Sequence, residues 1–147
     1  MIVFDKLSLR QKTVLLALAK RMMIADSKVV IEEDALFGML HAELGTNIST
    51  PTQDVFGEID VSVFDDAHSQ VVLILTLATM AFVDDNFHPN ESSVLMKVTE
   101  QVNFSASDIA AVMDLAERQG RLIKDTESLF THEHPLSQNP LETRGPK

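Results

Sequence analysis

The chain has 147 residues, 45% of them hydrophobic, with no cysteine and a formal net charge of −10. That length makes one domain, able to bury roughly two thirds of the surface of its unfolded chain. The missing cysteines exclude disulfides, thiolate zinc sites and cysteine nucleophiles, while the acidity argues against nucleic-acid and membrane-surface roles and favours cations and basic protein surfaces.

In chain order, the opening MIVFDKLSLR lacks the basic start and apolar stretch of a signal peptide, so a cytoplasmic location is expected. Ser8, with Gln11 three residues later, forms a capping box that opens a helix over LRQKTVLLALAKRMMIA. Val14, Leu15, Leu18, Met22 and Ala25 mark its buried stripe at three- and four-residue steps. A second helix is predicted from about Val30 to Leu44, burying Ala35, Leu36, Met39, Leu40 and Leu44, with Gly45 as the left-handed residue at its end. Thr46 to Asp60 is the long polar connection. Pro51 suits the start of a short helical turn there, and Gly57 weakens it.

Ser62 to Asp65 (SVFD) is a further capping pattern, leading into a third helix. Its sequence AHSQVVLILTLATMAFV, Ala67 to Val83, has no formal charge over 17 residues. It sits at the short limit for a bilayer, and His68, Ser69, Gln70, Thr76 and Thr79 interrupt it. It therefore reads as the central helix of a bundle, with Val71, Val72, Ile74, Leu75, Ala78 and Phe82 at the centre of the core. A fourth helix is predicted from about Pro89 to Val102. Ser105 to Asp108 (SASD) caps a fifth, in which Ile109, Val112, Met113, Ala116, Leu122 and Ile123 recur at helical spacing. Beyond Phe130 the polar text THEHPLSQNPLETRGPK is expected to be disordered. Glu58 to Phe64 alternates briefly, but a lone strand has nothing to pair with. The expectation is an all-α protein: a compact bundle of about five helices over residues 1–130, followed by a tail over 131–147. With eight Phe, seven Met and neither Trp nor Tyr, its core is aliphatic, Phe and thioether.

A shift of 59 residues superposes Leu16 on Leu75, Leu18 on Leu77, Ala19 on Ala78, Asp26 on Asp85, Glu32 on Glu91 and Leu36 on Leu95. The economical reading is two helix-turn-helix hairpins packed together, with the fifth helix on the open side. The Thr46 to Val61 connection is long enough for the hairpins to run either parallel or antiparallel. Each repeated turn is acidic. Glu32 and Glu91 fall in the first turn of a helix, where a glutamate reaches back to the N-cap amide and meets the positive end of the dipole; capping is a sufficient account of both. Asp26, Asp84 and Asp85 instead fall at helix carboxyl ends, where the dipole disfavours negative charge. With Glu33 and the two capping glutamates they make oxygen-rich turns of the kind that hard cations such as calcium or magnesium favour, although the spacing is not that of an EF-hand.

The paired turns in LALAKRMMIADSKVVIEED and LTLATMAFVDDNFHPNESS, each an apolar run ending in Asp with Glu six residues later, resemble the TerB-like domain of the tellurite resistance family. The resemblance covers about Leu15 to Ile123. Ser27 and Asn86 stand where that family usually has glycine. It implies a helical bundle without catalysis, whose acidic clusters bind metal in stress responses, with Asp26, Glu32, Asp85 and Glu91 as ligands and Glu33 and Asp84 beside them. The cation it implies is divalent: calcium, magnesium or manganese.

Other constellations are weaker. His132 and His134 lie in the polar tail, and His68, three residues after Asp65, lacks the second Glu-x-x-His of a di-iron bundle. His41 reads as a boundary residue beside an apolar stripe. No Gly-rich phosphate loop or serine elbow is present, so no enzyme is expected. Two functions compete: a non-catalytic metal-binding stress protein, or an acidic interaction module that meets a basic protein surface and in which the carboxylates are caps. Neither entails nucleic acid or membrane insertion.

Overall fold

In the structure, a computed structural model, residues 4–25, 31–45, 47–83 and 89–130 are described. They form α1 (Leu9–Ala25), α2 (Ile31–Leu44), α3 (Thr52–Phe56), α4 (Ala67–Phe82), α5 (Pro89–Gln101) and α6 (Ala106–Ser128), with no strand among the described residues. The architecture is an all-α bundle. Five of these helices match the sequence expectation, and the sixth, α3, is the short turn started by Pro51. Pro51 stands at its N-cap, and the Gly57 amide closes it by donating to the Gln53 carbonyl at 2.8 Å.

Local chemistry sets the helix starts. The Gln11 amide donates to Ser8 Oγ at 3.1 Å while the Ser8 amide donates to Gln11 Oε1 at 2.9 Å, so each end of the box satisfies the other. Ser105 and Asp108 do the same for α6. For α4 the sequence expectation is corrected. The cap is not the SVFD pattern but Asp66, which accepts the Ser69 amide at 2.7 Å; upstream, Asp60 accepts the Ser62 amide at 2.9 Å in a turn of its own. Gly45 ends α2 with a φ of +129°, a region that disfavours any side chain.

α1 and α4 form the centre and pack on each other. Leu15, Leu16, Leu18 and Met22 of α1 and Leu73, Ile74, Leu77 and Met80 of α4 are enclosed on all sides. α6 lies along α4, α5 packs against both central helices, and α2 and α3 flank α1. At the α4–α6 crossing Gly120 meets Phe82: a β-carbon on Gly120 would stand 2.8 Å from Phe82 Cβ and 3.0 Å from the Phe82 carbonyl carbon. The missing side chain is what permits this approach.

The repeat is visible in the elements. A shift of 59 residues carries the bounds of α1 and α2 to within two residues of those of α4 and α5. Leu16 and Leu75, Leu18 and Leu77, and Ala19 and Ala78 are all buried pairs, and Leu95 is buried as well. Several core assignments need correction. Met39, expected to be buried, is 54% exposed. One residue along a helix turns the side chain by about 100°, so Leu40 and Leu44 take the inward face of α2, and Ala116 and Gly120 that of α6. Val71 and Phe82 are half-buried. The side chains of Ala25, Ala35 and Leu36, and the whole of residues 131–147, lie outside the described residues.

Candidate functional site

The segment from Gly57 to Phe64 runs beside α1, from Arg21 to Gln11, without a strand partner, so its backbone groups must find side chains. Glutamines supply most of them. Gln101, the last residue of α5, donates to the Ile59 carbonyl at 2.8 Å and accepts the Val61 amide at 2.9 Å. Gln11, in the first turn of α1, donates to the Val63 carbonyl at 3.0 Å, and Gln70, in the first turn of α4, to the Phe64 carbonyl at 2.9 Å. Arg21 donates to the Gly57 carbonyl.

These bonds fix direction. The amino ends of α1 and α4 and the carboxyl end of α5 gather on residues 59–64, so α1 and α4 start from the same end of the bundle. Their carboxyl ends are both directed away from it. Of the two arrangements the sequence leaves open, the described contacts favour parallel hairpins.

Between this segment and α1 lies a polar groove of about 730 Å³, walled by Arg10, Gln53, Asp54, Glu58, Asp60 and Gln101. Its charges are largely committed. Arg10 makes a two-pronged pair with Asp54 at 2.8 and 3.0 Å, and that bond holds the guanidinium above its ordinary range. The Ser62 amide, then its hydroxyl, holds the Asp60 carboxyl below the ordinary carboxylate value. Burial lowers the Arg21 guanidinium, whose Nε is buried without a partner. The groove's chemistry is that of a structural junction.

The sequence signal for this junction is faint. Arg10 and Arg21 stand eleven residues apart, close to three turns, and so share the face of α1 that meets α3. Nothing local points to the glutamines, of which Gln11 is as buried as a core residue.

The carboxylates expected to bind metal belong to the two turns leading from α1 to α2 and from α4 to α5. Asp26, Asp84 and Asp85 lie outside the described residues. Glu32 and Glu33 fall in the first turn of α2 and Glu91 in that of α5, with side chains outside the described set. Glu91 takes the third helical position as expected; with α2 opening at Ile31, Glu33 rather than Glu32 takes it there. Among the described residues no three His, Asp or Glu side chains gather as metal ligands. His68 is exposed, as expected of a first-turn residue. His41 lies 3.1 Å from the Ile48 carbonyl through Nε2 and meets Phe37 edge-on, both structural contacts. His132 and His134 lie outside the described residues. No described helix is long and apolar enough to cross a membrane.

The chain matches no protein-family model, no curated protein and no solved structure.

Proposed function

We propose that the chain is a non-catalytic, TerB-like helical module that binds a divalent cation through its paired acidic turns and acts in a metal or tellurite stress response in the cytoplasm. The observation that supports this reading is directional: α1 and α4 start from one end of the bundle, so Ala25 and Phe82, the last residues of the two helices, both lie away from that end. Asp26, Asp84, Asp85, Glu32, Glu33 and Glu91 offer carboxylate oxygens alone, a donor set suited to calcium, magnesium or manganese and poorly suited to soft metals. Like charges crowded together repel, and a bound cation relieves that repulsion, stabilising the folded state by mass action.

The test is thermal. Millimolar calcium, magnesium or manganese is expected to raise the melting temperature of the parent, and the rise is expected to vanish in Asp26→Asn combined with Asp85→Asn. If the double variant is simply more stable than the parent and neither responds to any of the three ions, the carboxylates are caps. The second reading, an interaction module for a basic protein surface, would then lead. It draws independent support from the net charge of −10.

A further inference from the structure

α6 packs along α4 through a narrow inward face. Ala116 and Gly120 are buried, and Ile109, Val112 and Met113 are half-buried. The two leucines of α6 and Leu129, the residue just past its end, do not join them. Leu115, Leu122 and Leu129 are 39, 65 and 42% exposed, and they are spaced by seven residues each. Seven residues bring a helix through nearly two whole turns, so the three leucines form one row about 21 Å long, open to solvent. Scattered exposed leucines need no explanation; a row at this spacing along one helix does.

The row is symmetric about Leu122. A two-fold axis at that residue, with two copies of α6 antiparallel, sets Leu122 against itself and Leu115 against Leu129 of the second copy, so that each copy presents the same patch. The charges between the leucines choose the orientation. Arg118 lies between Leu115 and Leu122, and Asp125 between Leu122 and Leu129. A parallel pair would oppose Arg118 to Arg118 and Asp125 to Asp125. The antiparallel pair brings each Arg118 within one residue of the opposite Asp125, in both halves of the contact. Arg118 and Arg121 already carry short helical ion pairs to Asp114 and Glu117, at 3.2 and 2.9 Å. Both are exposed pairs of the kind that costs little to rearrange.

From this row and its charge pattern we propose that the exposed face of α6 is a homotypic docking surface, on which a second copy of this chain binds antiparallel through Leu115, Leu122 and Leu129. The apolar contact is a single row, small beside that of stable dimers, so association is weak and concentration-dependent. It is independent of the cation reading, because none of these residues belongs to the acidic turns.

Sedimentation equilibrium on the full chain, over micromolar to millimolar concentration and without added divalent ions, tests it. A monomer–dimer equilibrium is expected. Leu122→Glu is expected to weaken it by about tenfold or more, the equivalent of about 1.4 kcal/mol, with a nearly unchanged melting temperature because Leu122 is largely exposed. Arg118→Asp and Asp125→Arg are each expected to weaken association, and the two together to restore it. A chain monomeric at every concentration, or a dimer indifferent to Leu122→Glu, would overturn the proposal. So would failure of the double charge exchange to restore binding, which would place the contact in another orientation.

Discussion

Thr76 and Thr79 are buried in α4, and neither hydroxyl has a hydrogen-bond partner. A buried, unpaired hydroxyl costs folding free energy, whereas a methyl group of the same shape does not. Thr79→Val is therefore expected to stabilise the protein by about 1 kcal/mol, read as a higher urea midpoint at unchanged slope. A lower midpoint would mean that the hydroxyl is satisfied in solution. Gly120 presents the opposite balance. In an exposed helix, Gly→Ala gains about 1 kcal/mol of helix propensity. Here the new methyl meets the Cβ and backbone of Phe82 at 2.8 and 3.0 Å, and neither is the far end of a flexible side chain. Displacing α6 from α4 costs about 1–3 kcal/mol, so Gly120→Ala is expected to lower the melting temperature despite its better propensity. An increase would show that the two helices have slack between them.

Among the elements, the helices legible in the sequence are those whose signals are local. Ser8 with Gln11 and Ser105 with Asp108 are read correctly because a capping box needs only four consecutive residues. The start of α4 is misread because SVFD and the true box, Asp66 to Ser69, overlap in pattern four residues apart, and only the fold decides which amides need a cap. Helical spacing places Leu122 on its helix without saying whether a neighbour covers it, and it is exposed. Asp66 carries a testable consequence. The Ser69 amide, followed by its hydroxyl, holds the Asp66 carboxyl below its ordinary 3.8. A group whose folded value is depressed contributes stability above its unfolded value, and loses that contribution as pH falls through the folded one. The parent should therefore lose stability below about pH 4. Asp66→Asn keeps an acceptor for the Ser69 amide but cannot titrate, so its melting temperature should fall less steeply between pH 5 and pH 2. Parallel profiles would remove Asp66 from the account of acid sensitivity.

For the whole molecule, hydropathy was enough to identify α4 as the central helix, because a charge-free stretch too short for a bilayer has to be covered by the rest of the chain. The direction of the hairpins was not legible. It depends on Gln11, Gln70 and Gln101, distant in sequence, converging on the segment from Ile59 to Phe64. A glutamine that pins a remote carbonyl looks, in sequence, like any polar residue. That direction bears on the proposal because a single cation can be shared only by carboxylates that follow helices ending on the same side. The shared-cation account makes a sharp demand of calorimetry. Titration of the parent with calcium, magnesium or manganese should give heat for at least one of them, with one ion bound per chain. Asp26→Asn alone and Asp85→Asn alone should each abolish that heat, because each removes half of one site. No heat from any of the three ions, or heat that survives either single substitution unchanged, would contradict the claim that the duplicated turns form a cation site.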